Sequence, residues 1–247
     1  MIIDMHTHIL PHVDDGAADN ETTFHMLQRA QEEGTDVLIA TPHFCHGMDG
    51  ERWKAKRDAA WKIACAMAQD MDKKLHLLLG AEVYMESGIR QDLEAGVPLT
   101  MNGSDAILIE FSTSVNYRYI KNMVLMLLGM GYEPVLAHIE RYHALSKIQY
   151  IQELSEMGAK MQANADSILG HSGWRTKRYL LRLLDHELID MVASDAHDMQ
   201  HRMPGMKKCV KYLYKKLDSA YCEQLFGEQA RQVFLIPEYK LEQSPFV

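Results

Sequence analysis

The sequence predicts an α/β fold in which a parallel sheet is covered by helices and closes, or nearly closes, into a barrel. Three observations lead there. Seven short apolar runs alternate with longer amphipathic stretches. Their spacing is even, and no Pro-rich, Gly/Ser-rich or single-charge tract marks a linker, so residues 1–247 read as one domain. Six of the seven runs end in His, Asp or Glu, and the C-terminal rim of a β/α barrel is where catalytic residues from separate strands meet. A doubly wound open sheet is the alternative.

The strand-like runs are Ile2–His6, Asp36–Ala40, Leu75–Gly80, Ala106–Phe111, Pro134–His138, Lys160–Asn164 and Asp190–Ser194. The first helix is expected over Glu21–Glu33, with Asn20 as its N-cap and Gly34 just past its end. Glu51–Met71 and Ile148–Met157 fill two further gaps. Arg118–Leu128 places Ile120, Met123, Val124, Leu127 and Leu128 on one stripe at helical spacing. Trp174–Leu184 precedes the seventh run, and Lys207–Leu217 follows it as a last apparent helix before a tail, Ile236–Val247, of no evident role.

Composition removes several function classes. Hydrophobic residues make up 47% of 247 positions, ample for a core that needs no disulfide or structural metal. A formal charge of -8 disfavours a nucleic-acid partner, which selects for a basic face. No apolar run approaches the ~18 residues of a membrane span. Met1–His6 lacks the basic and apolar regions of a signal peptide, and the four cysteines contain no C-x-x-C pair. A cytoplasmic, reduced protein with no membrane insertion is expected. Phosphate loops of the Walker and Gly-x-Gly-x-x-Gly types are absent, as is a G-x-S-x-G elbow. A Cys-x5-Arg phosphatase loop is excluded because Glu51, Met71, Lys215 and Glu228 stand six residues beyond the cysteines.

The chemistry lies at the run ends. His6-Thr7-His8 closes the first, with Asp14-Asp15-Gly16 soon after; Thr41-Pro42-His43 follows the second and Gly80-Ala81-Glu82 the third. Ile109-Glu110-Phe111, Ala137-His138-Ile139-Glu140-Arg141 and Ser194-Asp195-Ala196-His197 end the fourth, fifth and seventh. In an extended segment residues i and i+2 share a side, so His6 with His8, and Asp195 with His197, can hold one ion. Imidazoles and carboxylates without thiolates suit Mn, Fe or Zn, and the number of ligands favours a di- or trinuclear cluster. The blander readings are specific too. His12, His25, His46, His76, His143, His171, His186 and His201 read as surface or core residues, and Asp195 could cap a helix. Cys45 reads as a bystander, and Met123, Met126 and Met130 as core filler rather than a copper site. Glu82 and Glu110 resist dismissal, because an unpaired charge at the end of an apolar run is costly.

Taken in order, H-x-H, T-P-H, G-A-E, I-E, A-H-x-E-R and S-D-A-H resemble the PHP (polymerase and histidinol phosphatase) superfamily. More narrowly, DMHTHILPHVDDGA, ATPHF, GAEVYM, LIEFS, PVLAHIERY and VASDAH are similar to bacterial manganese-dependent tyrosine-protein phosphatases of capsule and exopolysaccharide synthesis. The likeness runs from residue 2 to about residue 205. It implies a distorted seven-stranded (β/α)7 TIM-like barrel and two to three ions, manganese first, with iron and zinc as alternatives. His6, His8, Glu82 and Asp195 would hold the first ion; Glu82, Glu110 and His138 the second; Asp15, His43 and His197 the third. Asp15 is preferred to Asp14 as the second Asp of D-D-G. Arg141 and Arg202 match the family's phosphate-binding arginines, a role that suits a guanidinium fork. The implied reaction is phosphotyrosine hydrolysis by a metal-activated water on a protein substrate, and the implied substrate is a bacterial tyrosine kinase of polysaccharide export. Asp15, His43 or a water are the available proton donors. Where relatives carry basic or polar residues after the T-x-H histidine, Phe44-Cys45 stand here. The rival readings are a histidinol phosphatase, an amidohydrolase (Glu110 stands where that class places a carboxylated Lys) and a non-enzymatic accessory module.

Overall fold

Strands that pair only in parallel are buried on both faces, and the apolar runs of this sequence are built for that. The computed structural model describes residues 1–71 and 75–236. Its elements alternate: β1 (Ile3–Thr7), α1 (Asn20–Glu32), β2 (Val37–Ala40), β3 (His43–Phe44), α2 (Gly50–Gln69), β4 (His76–Leu79), β5 (Glu82–Tyr84), α3 (Ile89–Glu94), β6 (Ala106–Glu110) and α4 (Tyr117–Gly129). Then come β7 (Glu133–Leu136), α5 (Ile148–Glu156), β8 (Lys160–Asn164), α6 (Ala165–Leu169), α7 (Trp174–Asp185), β9 (Met191–Ala193), α8 (Lys207–Leu213), α9 (Ser219–Glu223), a π-helical turn (Gln224–Glu228) and α10 (Gln229–Val233).

Every ladder is parallel. One sheet has the order β1-β2-β4 and the other β3-β5-β6-β7-β8-β9. Among the described residues nine strands stand where seven runs were expected, because the second and third runs are each followed by a further short strand. Pro42 has no N–H to give a ladder and separates β2 from β3. Gly80-Ala81 separates β4 from β5; a Cβ on Gly80 would lie 2.5 Å from Met101 Sδ, so a larger residue there would require the Met101 side chain to shift. Hydrogen bonds cross both breaks, from Gly80 N to Ala40 O (2.8 Å) and from Glu82 N to Pro42 O (3.2 Å). At the other flank Thr7 bridges in parallel to Ala196, with His8 N donating to Ala196 O at 2.8 Å and Asp195 N to His6 O at 3.0 Å.

Alternate strand residues feed separate apolar clusters, as the two-residue period demands. Ile3, Met5, Val37, Ile39, Ala106, Leu108, Val135 and Met191 pack with one another. Ile107, Ile109, Leu136 and Val192 instead pack beneath Ile120, Val124 and Leu127 of α4, Ile151 and Leu154 of α5, and Leu180 and Leu183 of α7. The expected α4 stripe thus faces inward through Ile120, Val124 and Leu127, with Met123 and Leu128 half-buried. Leu38 and Ala40 lie under Met26 and Leu27 of α1 and Ala60 and Ala64 of α2.

Most helix ends shift by one or two residues from the expected ranges, and two of the differences have a structural consequence. Asp19, not Asn20, is the N-cap of α1: its carboxylate accepts Thr22 N at 2.7 Å, and Asn20 is already helical. The last expected helix stops at Leu213 rather than Leu217. Beyond it the chain folds back onto the first cluster, where Ala230, Val233, Phe234 and Ile236 pack against the N-terminal strand residues. Asn102 Nδ2 donates to Phe234 O at 2.9 Å. Of the tail, only Ile236 is among the described residues. No helix among the described residues is long and apolar enough to cross a membrane.

Phe234 is fully buried, so Phe234→Ala should cost about 3–5 kcal/mol of stability. Urea denaturation would measure it; a loss below about 1 kcal/mol would mean that the C-terminal segment merely rests on the sheet.

Candidate metal centre

The strand ends converge on one polar pocket of about 420 Å³ lined by Asp15, His43, Glu82, Glu110, Arg141, Asp195, His197 and Arg202. His6, His8 and His138 lie buried beneath them. Glu82 sits at the centre. Its Oε2 is 3.1 Å from His6 Nε2 and 3.2 Å from both His8 Nε2 and His43 Nδ1, while its Oε1 is 2.8 Å from His138 Nε2. Glu110 Oε1 is 3.2 Å from His43 Nδ1, and Asp195 Oδ1 is 3.5 Å from His6 Nε2. Asp15 Oδ1 faces His43 Nε2 at 3.4 Å and His197 Nε2 at 3.6 Å.

These spacings suit ligands better than hydrogen-bond partners. Donors at about 2.1 Å from one cation lie about 3.0 Å apart in an octahedron and about 3.4 Å apart in a tetrahedron. His6 Nε2 and His8 Nε2 point at each other across 3.2 Å, an arrangement that wastes a lone pair unless a cation or a proton shares it. Among the described residues, His43 Nδ1, Glu82 Oε2 and His197 Nε2 are buried with no hydrogen-bond partner. Each would be a costly orphan in an apolar setting, and all three are natural metal donors. Four groups of side chains can each hold an ion: His8, Asp15, His43 and His197; His6, His8 and Asp195; His6, Glu82 and His138; and His43, Glu82 and Glu110.

All nine expected ligands therefore come together, in a partition that differs in detail from the expected one. His8, allotted to the first ion alone, also belongs to the group around Asp15, its ring stacked on His197 with centroids 3.8 Å apart. His43, allotted to the third, turns Nε2 toward Asp15 and Nδ1 toward Glu82 and Glu110. Glu110 is nearer His43 than His138, whose Nε2 is 3.7 Å from Glu110 Oε2. The two arginines frame the mouth: Arg141 Nη1 is 3.8 Å from Asp195 Oδ2 and Arg202 Nη2 3.4 Å from Asp15 Oδ2.

The local electrostatics call for positive charge. Burial opposes the charge on His6, but Glu82 and Asp195 outweigh it and raise the imidazole to about 8. His8 moves up for the same reasons, with Asp14 and Glu82 as its partners. Burial works against the Glu82 carboxylate as well, yet His6 and its neighbours hold it well below its usual range. His197 goes the other way, to about 3, because it is buried and flanked by His8 and Arg202. A neutral His197 beside anionic carboxylates has the protonation a metal site needs.

Backbone geometry is spent on this assembly. His138 and Asp195 both adopt left-handed conformations, with φ of 33° and 55°, which non-glycine residues rarely take. Gly16 lets the D-D-G loop press onto the first strand: a Cβ there would meet His8 O at 2.1 Å. Asp14, passed over as a ligand, has its oxygens otherwise engaged. Oδ2 takes His8 Nδ1 at 2.7 Å and His43 N at 3.0 Å, and Oδ1 takes Gly16 N at 3.0 Å. Asp14 thereby orients two candidate ligands and leaves Asp15, whose side chain is 61% exposed, free to face the pocket.

Three further residues escaped the sequence reading. Gln162 Oε1 accepts His138 N at 2.8 Å and pairs with His6 Nδ1 at 3.2 Å, which orients the ring so that His6 Nε2 faces the cluster. Gln162 Nε2 donates to Asn164 Oδ1 at 2.9 Å, and Asn164 Nδ2 donates to Asp195 Oδ2 at 2.9 Å. Tyr142 Oη lies 3.2 Å from His138 Nδ1. The available signal was positional: Gln162 and Asn164, at i and i+2, end the one run of seven that closes without His, Asp or Glu. Gln162→Leu should therefore weaken metal binding about 10- to 100-fold with the fold intact. Calorimetric titration of manganese into chelator-stripped protein, beside circular dichroism, tests this; unchanged affinity would reduce Gln162 to packing.

Comparison with known proteins fits this site. A family described as capsular polysaccharide synthesis, CpsB/CapC, matches residues 2–235. Tyrosine-protein phosphatase YwqE of Bacillus subtilis is 35% identical over 219 residues, covering 88% of this chain and 86% of its own. Tyrosine-protein phosphatase CpsB of Streptococcus pneumoniae is 30% identical over 240 residues, covering 95% and 98%. A solved structure from work on YwqE and pneumococcal CpsB, described as unique metal-dependent tyrosine phosphatases, superposes with a TM-score of 0.83 at 32% identity over 95% of this chain and 94% of that one. A lactonase from Listeria monocytogenes, at 12% identity and a TM-score of 0.64 over 96% and 95%, shares the fold alone. The parallel α/β architecture, the gathered His, Asp and Glu side chains and these likenesses lead to one assignment: the chain belongs to the CpsB/CapC family of capsular polysaccharide synthesis proteins.

Proposed function

We propose that this protein is a metal-dependent protein-tyrosine phosphatase that regulates capsular or exopolysaccharide synthesis, acting in the cytoplasm on a bacterial tyrosine kinase. The observation that carries the reading is the pocket itself, where nine His, Asp and Glu side chains meet under two arginines in a chain similar to metal-dependent tyrosine phosphatases. We read the chain as one PHP-type phosphatase domain. Counting β2 with β3 and β4 with β5 as interrupted single strands leaves seven, and the hydrogen bonds between β1 and the residues after β9 support a distorted (β/α)7 barrel.

His6, His8, Asp15, His43, Glu82, Glu110, His138, Asp195 and His197 would hold two to three ions, manganese by preference. The chemistry such ions supply is acidification of water and neutralisation of charge on a phosphoryl group. The protein's own residues do the rest. Arg141 and Arg202, with half-exposed side chains at the mouth, present guanidinium forks that pair two phosphate oxygens and stay charged at any working pH. As phosphorus passes through its transition state, the equatorial oxygens gain charge that these forks stabilise in place. The substrate phosphate would displace Arg202 from Asp15, freeing that carboxylate at the pocket mouth. A phenolate leaves readily, so protonation by Asp15, His43 or a water suffices. The described cysteines play no part: Cys209 and Cys222 are buried, and burial with nearby carboxylates pushes the half-buried Cys45 thiol up, away from thiolate.

Phosphate release from a phosphotyrosine peptide and from histidinol phosphate should be compared with manganese and with chelator. The reading expects chelator-sensitive release that favours the peptide; preference for histidinol phosphate would keep the site and change the substrate. Glu110→Gln and His138→Ala should lose activity together with metal content, measured by elemental analysis, and activity surviving in the metal-depleted variants would sink the mechanism. Arg141→Ala should lower kcat/KM about 100-fold or more without removing metal.

A further inference from the structure

We propose that the basic face carried by α7 and α8 is a docking surface for an acidic stretch of the phosphoprotein substrate that flanks its phosphotyrosine. The proposal rests on the phosphatase reading above and concerns how that site selects its substrate.

Charge is distributed very unevenly in this chain. The formal total is -8, yet Trp174–Asp185 and residues 207–216 hold nine of the 26 Lys and Arg against one of the 34 Asp and Glu. Arg175, Arg178 and Arg182 recur at i, i+3 and i+7 on α7, all exposed, and Lys208 and Lys211 repeat the three-residue step on α8. Like charges at that spacing repel along a helix. Among the described residues none of the nine cations has a carboxylate within ion-pair distance, whereas elsewhere Arg29, Lys54, Arg57, Arg90 and Lys160 do. A face that keeps this repulsion unrelieved is complementary to an anionic partner.

The two helices meet through their cationic side chains at Tyr212, and each adjoins a segment that carries a pocket arginine. Lys177 of α7 and Lys216 just past α8 both lie over the Tyr212 ring, at 4.6 and 5.3 Å from its centroid. α7 packs against the turn that carries Arg141, and the Tyr179 hydroxyl donates to Leu145 O beside it. α8 follows directly on the loop that carries Arg202. Both helices thus adjoin the segments that carry the pocket arginines, while the rest of the chain, with 33 of the 34 acidic residues against 17 of the 26 basic ones, has a net negative charge that disfavours a polyanion. That contrast steers an acidic segment to one approach. Trp174, 67% exposed at the start of α7, adds an apolar contact to the same face.

The test uses full-length manganese-loaded protein and a variant with Arg175→Gln, Arg178→Gln, Arg182→Gln and Lys208→Gln, all exposed and outside the pocket. Substrates are a phosphotyrosine peptide flanked by glutamates, the same peptide flanked by glutamines, and phenyl phosphate. The wild type should prefer the acidic peptide by about 10-fold or more in kcat/KM, through KM, and lose the preference at high salt. The variant should lose the preference while keeping its rates on the neutral peptide and on phenyl phosphate. Equal wild-type rates on both peptides, or a preference that survives the four substitutions, would overturn the proposal. So would a lack of peptide preference combined with charge-dependent co-sedimentation on phosphatidylglycerol vesicles, which would assign the face to a membrane. Failure of the wild type on phenyl phosphate and both peptides would instead overturn the phosphatase reading.

Discussion

Glu82 Oε2 is a buried carboxylate oxygen with no hydrogen-bond donor and three imidazole nitrogens within 3.2 Å. A charge in that position is tolerable only if positive charge shares the space. The nitrogens come from β1 and the turn after it and from β3, each a separate stretch of sequence. The sheet therefore has to bring its strand ends into one register, and the parallel ladders do that: His43 is paired with Glu82, and Glu82 with Leu108, two residues short of Glu110. The fold and the candidate site are one constraint seen at two scales.

The same constraint explains where the backbone departs from easy geometry. A sheet left to itself would not place left-handed residues at the ends of two strands, yet His138 and Asp195 are both left-handed. Each is tied down locally. His138 N donates to Gln162 and Asp195 N to His6 O, so the strained peptides lose no hydrogen bond by their conformation. The break at Pro42 belongs to the same account, since it frees the chain to aim His43 inward after β2 has ended.

Much of this was legible in the residues, and the physical reason is that burial on both faces leaves a coarse imprint. Continuous apolar runs located the strands, and ligand-type residues at their ends pointed to the candidate site, because polar groups at the end of a buried run stand out. Finer features left no such imprint. Asp19 and Asn20 are equally good caps on paper, and only the direction of chain entry decides for Asp19. The close approach of Met101 to Gly80, at the break between β4 and β5, is a contact between distant residues. How the ligands divide into groups depends on imidazole rotations, which spacing along the chain does not encode. Gln162 and Asn164 carried only a positional signal, because a neutral amide at a strand end resembles any other polar residue. Their function comes from bonding His6, His138 and Asp195 in three dimensions.

Burial also grades the site from floor to mouth. At the floor, His6, His8, Glu82 and His138 are almost fully enclosed, and Asp14, Gln162 and Tyr142 hold three of these rings by their other nitrogen. At the mouth, Asp15 is mostly exposed, His43 is partly exposed, and Asp15 is already shared with Arg202. A cation at the floor would meet ligands whose orientation and desolvation are settled by folding. One at the mouth would have to order a solvated carboxylate and compete with a guanidinium, at a cost in side-chain entropy. Floor groups so arranged would bind a cation more tightly than those at the mouth. The mouth, where the two arginines also stand, is the part free to rearrange when an anionic group enters.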